Sequence, residues 1–443
     1  MGTLSHLVSR PTNLIKAFCL FALFVLIGPL VRSSLAESRQ EIWYHTGYPG
    51  GVVGPRTGMS ALTGPTKMPA IFEAILKHRL IGHQQIHTDS ISVTERIPFE
   101  SPIDLESLRM VHTDRYLKAL FTGEPLSLAT SQGLPTWNES IARGWLLNVG
   151  GLYAASEAAL YKKTITANLG HGYHHATVNR GMGFCTINGL AVVAKKLIRQ
   201  GKAKRVVILD LDHHEGNGTA ECIIGEPSIW NVSIYGSYMG GPPSTGNNHL
   251  FQIRHEAFEK GVKRDLHYLA VISEILPPLI RLQDPDLILY QAGMDPFDGG
   301  GISKEALAIR DAYIFSLSVS MGKPVTWVLA GGYADMDTLV ELHLGTVRMA
   351  NKVLEEVKLG DRIEHRGTKP YLWSPKNGII SFPNWNSLLK ETLQWNKPPS
   401  MTDQQIQAFV VARERLLQEE KLPKEEISSA YRKLWGDGIS HQR

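Results

Sequence analysis

The sequence predicts an α/β fold, a mostly parallel sheet with helices on both faces. Short apolar, β-rich runs recur at 164–168, 206–210, 230–234, 287–290 and 325–329. They lack polar alternation, which strands covered on both faces do not need. Between them lie stretches of helical length and apolar spacing, such as 189–200 and 266–282. An alternating strand and helix order implies parallel pairing through helical crossovers. Polar clusters follow four of the runs directly, at the carboxyl ends where such sheets collect ligands.

The 443 residues suffice for one large domain or two ordinary ones. With 43% hydrophobic and 20% charged residues, and no repeat or low-complexity block, the chain reads as globular. A net charge of +4 is small for this length, and no dense Lys/Arg stripe occurs, which argues against direct nucleic-acid binding. Arg10 and Lys16 precede an apolar run at 17–31, and Ser34-Leu35-Ala36 offers a small-residue cleavage site. Residues 1–36 are therefore read as a signal peptide, with an uncleaved membrane anchor as the alternative. The expected localisation is periplasmic or secreted, or membrane-anchored through this segment alone. Cys19 lies inside it, so Cys185 and Cys222 remain and make no disulfide framework.

The body at 37–368 holds the chemistry, and 369–443 reads as a helical extension. Thr402 suits the cap of one amphipathic stretch, with Ile406, Phe409, Val410 and Leu417 on its apolar face. Pro423 opens a second, carrying Ile427, Tyr431, Leu434 and Trp435.

The strongest motif is Asp210-Leu211-Asp212-His213-His214-Glu215-Gly216-Asn217-Gly218. Strand alternation puts Asp210, Asp212 and His214 on one side. A carboxylate and an imidazole two residues apart can reach one cation, and oxygen plus nitrogen donors suit zinc or ferrous iron better than magnesium. A lone Asp-x-Asp would more simply cap a helix; the His-His pair and two glycines argue otherwise. Asp295, in the segment at 291–298, is the natural third ligand and leaves the metal an open position. His174 and His175 follow another run. Either can ligate, but the carboxylates supply enough ligands, so both are assigned to acid/base work. Tyr333 follows Gly331-Gly332, where glycine admits a substrate close to the backbone and the phenol can donate to an oxyanion.

Together with Gly183-Phe184-Cys185-Thr186-Ile187-Asn188, these segments resemble the histone deacetylase and acetylpolyamine amidohydrolase superfamily over roughly 42–359. In Gly216-Asn217-Gly218 and in the stretch at 143–150 the chain looks most similar to the class IV branch and its bacterial relatives. The resemblance implies a three-layer α/β/α fold of the arginase/deacetylase kind. It implies a deacetylase or deacylase acting on acyl-lysine, an acetylpolyamine or another small acylated amine. Asp212, His214 and Asp295 would hold Zn2+, or Fe2+, at the base of a tunnel lined by Gly183, Phe184 and Gly331. Asp210 would orient His174. Asp210, Asp212, His214, Ser233 and Ile234 would surround a monovalent cation such as K+. His175 would be the base, His174 its electrostatic partner, and Tyr333 the oxyanion donor.

Two departures bear on the chemistry. Asn217 stands where many members carry aspartate, and an amide orients an imidazole without offsetting its charge, so one histidine is less basic here. Residues 238–246 replace an aromatic tunnel segment with a glycine- and proline-rich one, which leaves the acyl length open. A manganese ureohydrolase of the same fold would need another aspartate where this motif has glycine. A non-catalytic exported binding protein finds no support, because each catalytic residue type is present. Export favours small acylated amines over histones.

Overall fold

The structure, a computed structural model, describes residues 39–48, 67–88, 103–255, 259–356, 371–374, 378–381 and 402–435. The export segment read at 1–36 lies outside these residues, as do the side chains of Phe409 and Trp435. Eight parallel strands form one sheet in the order β2-β1-β3-β8-β7-β4-β5-β6. They are β1 Glu41–Trp43, β2 Ile86–His87, β3 Ile165–Asn168, β4 Val206–Asp210, β5 Ile229–Tyr235, β6 Asn248–Gln252, β7 Leu287–Ala292 and β8 Val325–Leu329. The sheet is wholly parallel, and a separate antiparallel pair joins Tyr371–Ser374 to Gly378–Ser381.

Strand alternation divides the core into two apolar layers. Val207, Leu209, Ile288 and Trp327 face one, with helices Lys67–Lys77, Val262–Gln283, Lys304–Ser320 and Met336–Glu356. Val206, Ile208, Leu287, Leu289 and Val328 face the other, with helices Asp114–Thr122, Glu139–Lys162 and Gly189–Arg199. Each fully buried Val, Leu or Ile contributes roughly 1.5–3 kcal/mol relative to exposure. The result is three layers, helix on sheet on helix.

Local chemistry closes the elements. Asn138 Oδ1 accepts from Ile141 N at the start of the longest helix, and Asn188 Oδ1 accepts from Ala191 N at the start of Gly189–Arg199. Pro277 and Pro278 sit inside Val262–Gln283, where a missing N–H frees the Ser273 carbonyl. The Tyr313 hydroxyl, 3.2 Å away, donates to that carbonyl instead.

Helices Asp403–Glu419 and Lys424–Trp435 pack on the second layer. Thr402 and Gln405 form a capping box on the first. Ile427 and Leu434 are buried in the second layer, and the Tyr431 hydroxyl donates to Ile103 O at 2.7 Å. In the first helix Arg413 is buried, and its guanidinium donates to Ile224 O at 2.6 Å and Cys222 O at 3.3 Å.

Several buried histidines are structural. His112 Nε2 accepts from Asn188 N at 3.0 Å, so Nδ1 carries the proton and donates to Thr177 O at 2.9 Å. Burial pushes His112 down to about 4, His255 to about 3 and His267 to about 4. Below pH 6.5 the unfolded chain takes up protons at these positions while the folded chain does not, so stability falls as pH falls toward 4. Urea unfolding followed at pH 7 and pH 5 should show a lower midpoint at pH 5, and an unchanged one would contradict the neutral assignment.

Candidate functional site

Four adjacent strands, β3, β8, β7 and β4, deliver their carboxyl-end loops to one place. β4 ends on Asp210, which is fully buried. Its Oδ1 accepts from Asp212 N at 3.1 Å, and its Oδ2 lies 2.8 Å from His174 Nδ1. Two residues on, Asp212 Oδ1 accepts from His214 N at 3.0 Å, and its Oδ2 accepts from Gly331 N at 2.9 Å. From the β7 loop, Asp295 Oδ1 accepts from His213 N at 2.8 Å. Its Oδ2 lies 2.9 Å from His214 Nδ1. The β8 loop closes the set, since Met294 N donates to Gly331 O at 2.9 Å.

One donor atom each from Asp212, His214 and Asp295 lies within 4.8 Å of the others. Two carboxylates and an imidazole at this spacing fit a small divalent cation with an open coordination position. The electrostatics point the same way. Burial, then the neighbouring Asp212 charge, raises Asp295 to about 8. Burial would lower His214, but its bonds to Asp212 and Asp295 outweigh that and hold it at about 10.

The two histidines of the β3 loop have ring centres 3.8 Å apart with their planes tilted by 36°, and His175 lies 6.0 Å from His214. They have different partners. Burial opposes charge on His174, yet Asp210 and Asp212 more than reverse it, and its pKa is raised. His175 Nδ1 lies 2.6 Å from Asn217 Oδ1, a neutral acceptor. Burial, reinforced by the His174 charge, brings His175 down to about 3. Tyr333 is 40% exposed, with its hydroxyl 3.4 Å from His214 Nδ1. Burial of the phenol and the charges of Asp295 and Asp212 raise its pKa, so it stays protonated.

The other expected positions fall as follows. Gly183 and Phe184 are the central residues of a tight turn in which Cys185 N donates to Met182 O at 2.8 Å. Both have positive φ, 53° and 62°. Such a turn demands this conformation at both positions, and for Phe184 it costs of order 1–3 kcal/mol. A Cβ on Gly183 would lie 2.3 Å from the His175 ring. Ser233 sits across from Asp210 in the β4–β5 register with Ile234 next to it, and Ser233 Oγ accepts from Gly216 N at 3.3 Å.

Sequence reasoning missed several supports. Asn148 Nδ2 donates to His171 O at 2.8 Å, and its Oδ1 accepts from the Tyr173 hydroxyl at 2.6 Å, which holds the histidine loop from below. Its signal was an amide on the buried face of an otherwise apolar helix. Glu215 Oε2 accepts from Met239 N at 3.0 Å and Gly241 N at 3.1 Å, fastening the glycine- and proline-rich loop to the motif. Lys67 is buried, donates to Ala330 O, and is lowered to about 8 by burial, which Asp295 partly offsets. Nothing in its local sequence signalled this.

The family model for the histone deacetylase domain matches residues 62–347. An uncharacterised protein of Picosynechococcus is 29% identical over 287 residues, which cover 62% of this chain and 92% of that protein. A protein named probable deacetylase from Archaeoglobus fulgidus is 28% identical over 286 residues, covering 59% of this chain and 77% of its own length. Histone deacetylase 2 of Arabidopsis thaliana is 26% identical over 237 residues, 51% of this chain and 60% of that one. Among solved structures, the HD domain of HDA15 superposes with a TM-score of 0.58 at 18% identity, over 90% of this chain and 99% of that domain.

Gly331 gives a direct test of the geometry. A Cβ there would lie 2.3 Å from Asp295 Oδ2 and 2.7 Å from Asp212 Oδ2, closer than packing allows. Gly331→Ala should therefore spread the carboxylates and weaken binding of an added divalent cation by about tenfold or more in a chelator competition. Unaltered affinity would count against a shared cation position.

Proposed function

The chain belongs to the histone deacetylase family, and from that premise we propose that it is a zinc-dependent amidohydrolase that removes an acyl group from an acylated amine. The observation that carries this reading is the convergence of Asp212, His214 and Asp295 beside two histidines and a phenol. The names of the deacetylase relatives support the reaction class.

Asp212, His214 and Asp295 would hold the zinc. When bound, the ion would polarise the amide carbonyl and lower the pKa of water toward about 7. The chain's own residues supply the proton traffic. With Nδ1–H fixed on Asn217, neutral His175 keeps a lone pair on Nε2 and takes the proton from the attacking water. His174, held charged by Asp210, stabilises negative charge without giving up its proton. Tyr333, kept protonated, donates to the oxygen that becomes negative as the carbonyl carbon turns tetrahedral. His175 then returns its proton to the leaving amine.

Export remains part of the proposal, with 1–36 as the targeting segment and small acylated amines favoured over chromatin. Mass analysis of the N-terminus recovered from the secreted or periplasmic fraction should find it beginning near residue 37; an intact, retained N-terminus refutes cleavage.

The activity is tested with a panel of acetyl-lysine and longer acyl-lysine peptides and acetylpolyamines. Asp212→Ala and Asp295→Ala should each lose bound zinc and turnover together. Tyr333→Phe should keep its zinc while kcat falls about 10²–10³-fold. Full zinc content in either aspartate variant overturns the ligand assignment.

A further inference from the structure

Beneath the donor cluster lies one buried guanidinium. Arg310, on helix Lys304–Ser320, is 0% exposed. Its Nη1 donates to Gly293 O at 2.7 Å, with Leu211 O at 3.4 Å and the Tyr268 hydroxyl at 3.3 Å. Leu211 immediately precedes Asp212, and Gly293 stands two residues before Asp295. A single charged group therefore touches the main chain of both loops that carry carboxylate donors.

The guanidinium is itself held in place. Arg310 Nε donates to Asp311 Oδ1 at 2.8 Å. Asp311 in turn accepts from the Tyr290 hydroxyl at 2.6 Å and from Thr346 Oγ1 at 2.7 Å. Tyr290 belongs to β7, the strand that leads into Asp295, and Thr346 to the neighbouring helix Met336–Glu356. A fully buried ion pair is a poor source of stability, because apolar residues of similar volume often serve as well or better. What apolar residues cannot do is bond two carbonyls on separate loops and set a positive charge under two carboxylates.

We propose that Arg310, oriented by Asp311, is a positioning residue of the metal site, setting the spacing between the Asp212–His214 loop and the Asp295 loop. The inference rests on the zinc reading above. It differs from that reading in what fails: if the wild-type protein binds no zinc, the reading falls; if it binds zinc indifferently to Arg310, only this inference falls.

The test uses the full chain in three forms: wild type, Arg310→Lys, and the double variant Arg310→Met with Asp311→Leu, which replaces the pair by apolar residues. Zinc affinity is measured by chelator competition, the visible spectrum is recorded with cobalt in place of zinc, and folding is followed by thermal melting. The expected result is a folded double variant whose zinc affinity falls about 10–100-fold, with an altered cobalt spectrum. In turnover, kcat should fall more than KM rises. Arg310→Lys keeps the charge but loses the separate Nε donor through which Asp311 orients the guanidinium, and should lie between. Wild-type zinc affinity and cobalt spectrum in the folded double variant overturn the proposal. Should the double variant fail to fold, wild-type affinity and spectrum in Arg310→Lys overturn it instead.

Discussion

Two carboxylates held side by side away from solvent set the terms for everything around them. Asp212 and Asp295 are 2% and 0% exposed, and the Asp212 charge adds to burial in making Asp295 harder to ionise. The surroundings answer with positive partners from every side. Main-chain N–H groups of His213, His214 and Gly331 donate to the carboxylate oxygens, and the His214 ring lies against both. Below, Arg310 and Lys67 bond carbonyls of the same loops, so buried positive charge flanks the cluster. Asp212, His214 and Asp295 still offer donor atoms close enough together to fit a divalent cation.

The histidine pair shows how one fold gives neighbouring groups opposite characters. Their rings almost touch, yet a carboxylate stands behind His174 and an amide behind His175. The charged ring then suppresses protonation of its neighbour, and two copies of one side chain are driven toward opposite protonation states. The amide of Asn217, which carries no charge, sharpens that division.

The layout of the sheet around the site was legible because its strands are mostly apolar without polar alternation, and the runs at 206–210 and 325–329 coincide with β4 and β8. β1 and β2 were not legible, with three and two residues too short to show a pattern. β6, Asn248–Gln252, carries asparagine, histidine and glutamine and reads as a loop. In the site, Asp212, His214, Asp295, His174, His175 and Tyr333 stood out because polar side chains at strand ends need a reason. Arg310 and Lys67 did not, since a basic residue on a helix ordinarily faces water. Only the folded chain shows these two turned inward. Asn148 and Glu215 were hidden in the same way, because their work is done through backbone partners far away in sequence.

Arg413 ties together parts of the chain that look independent. It bonds the carbonyls of Cys222 and Ile224, at and just past the end of helix Asn217–Ile223, and the first residue of that helix holds the imidazole of His175. A short rod thus joins the tail to the reactive centre. Through that rod the tail braces the residue that orients one ring of the histidine pair. The tail is in that sense a brace for the histidine pair, set apart from the loops that carry the donor carboxylates.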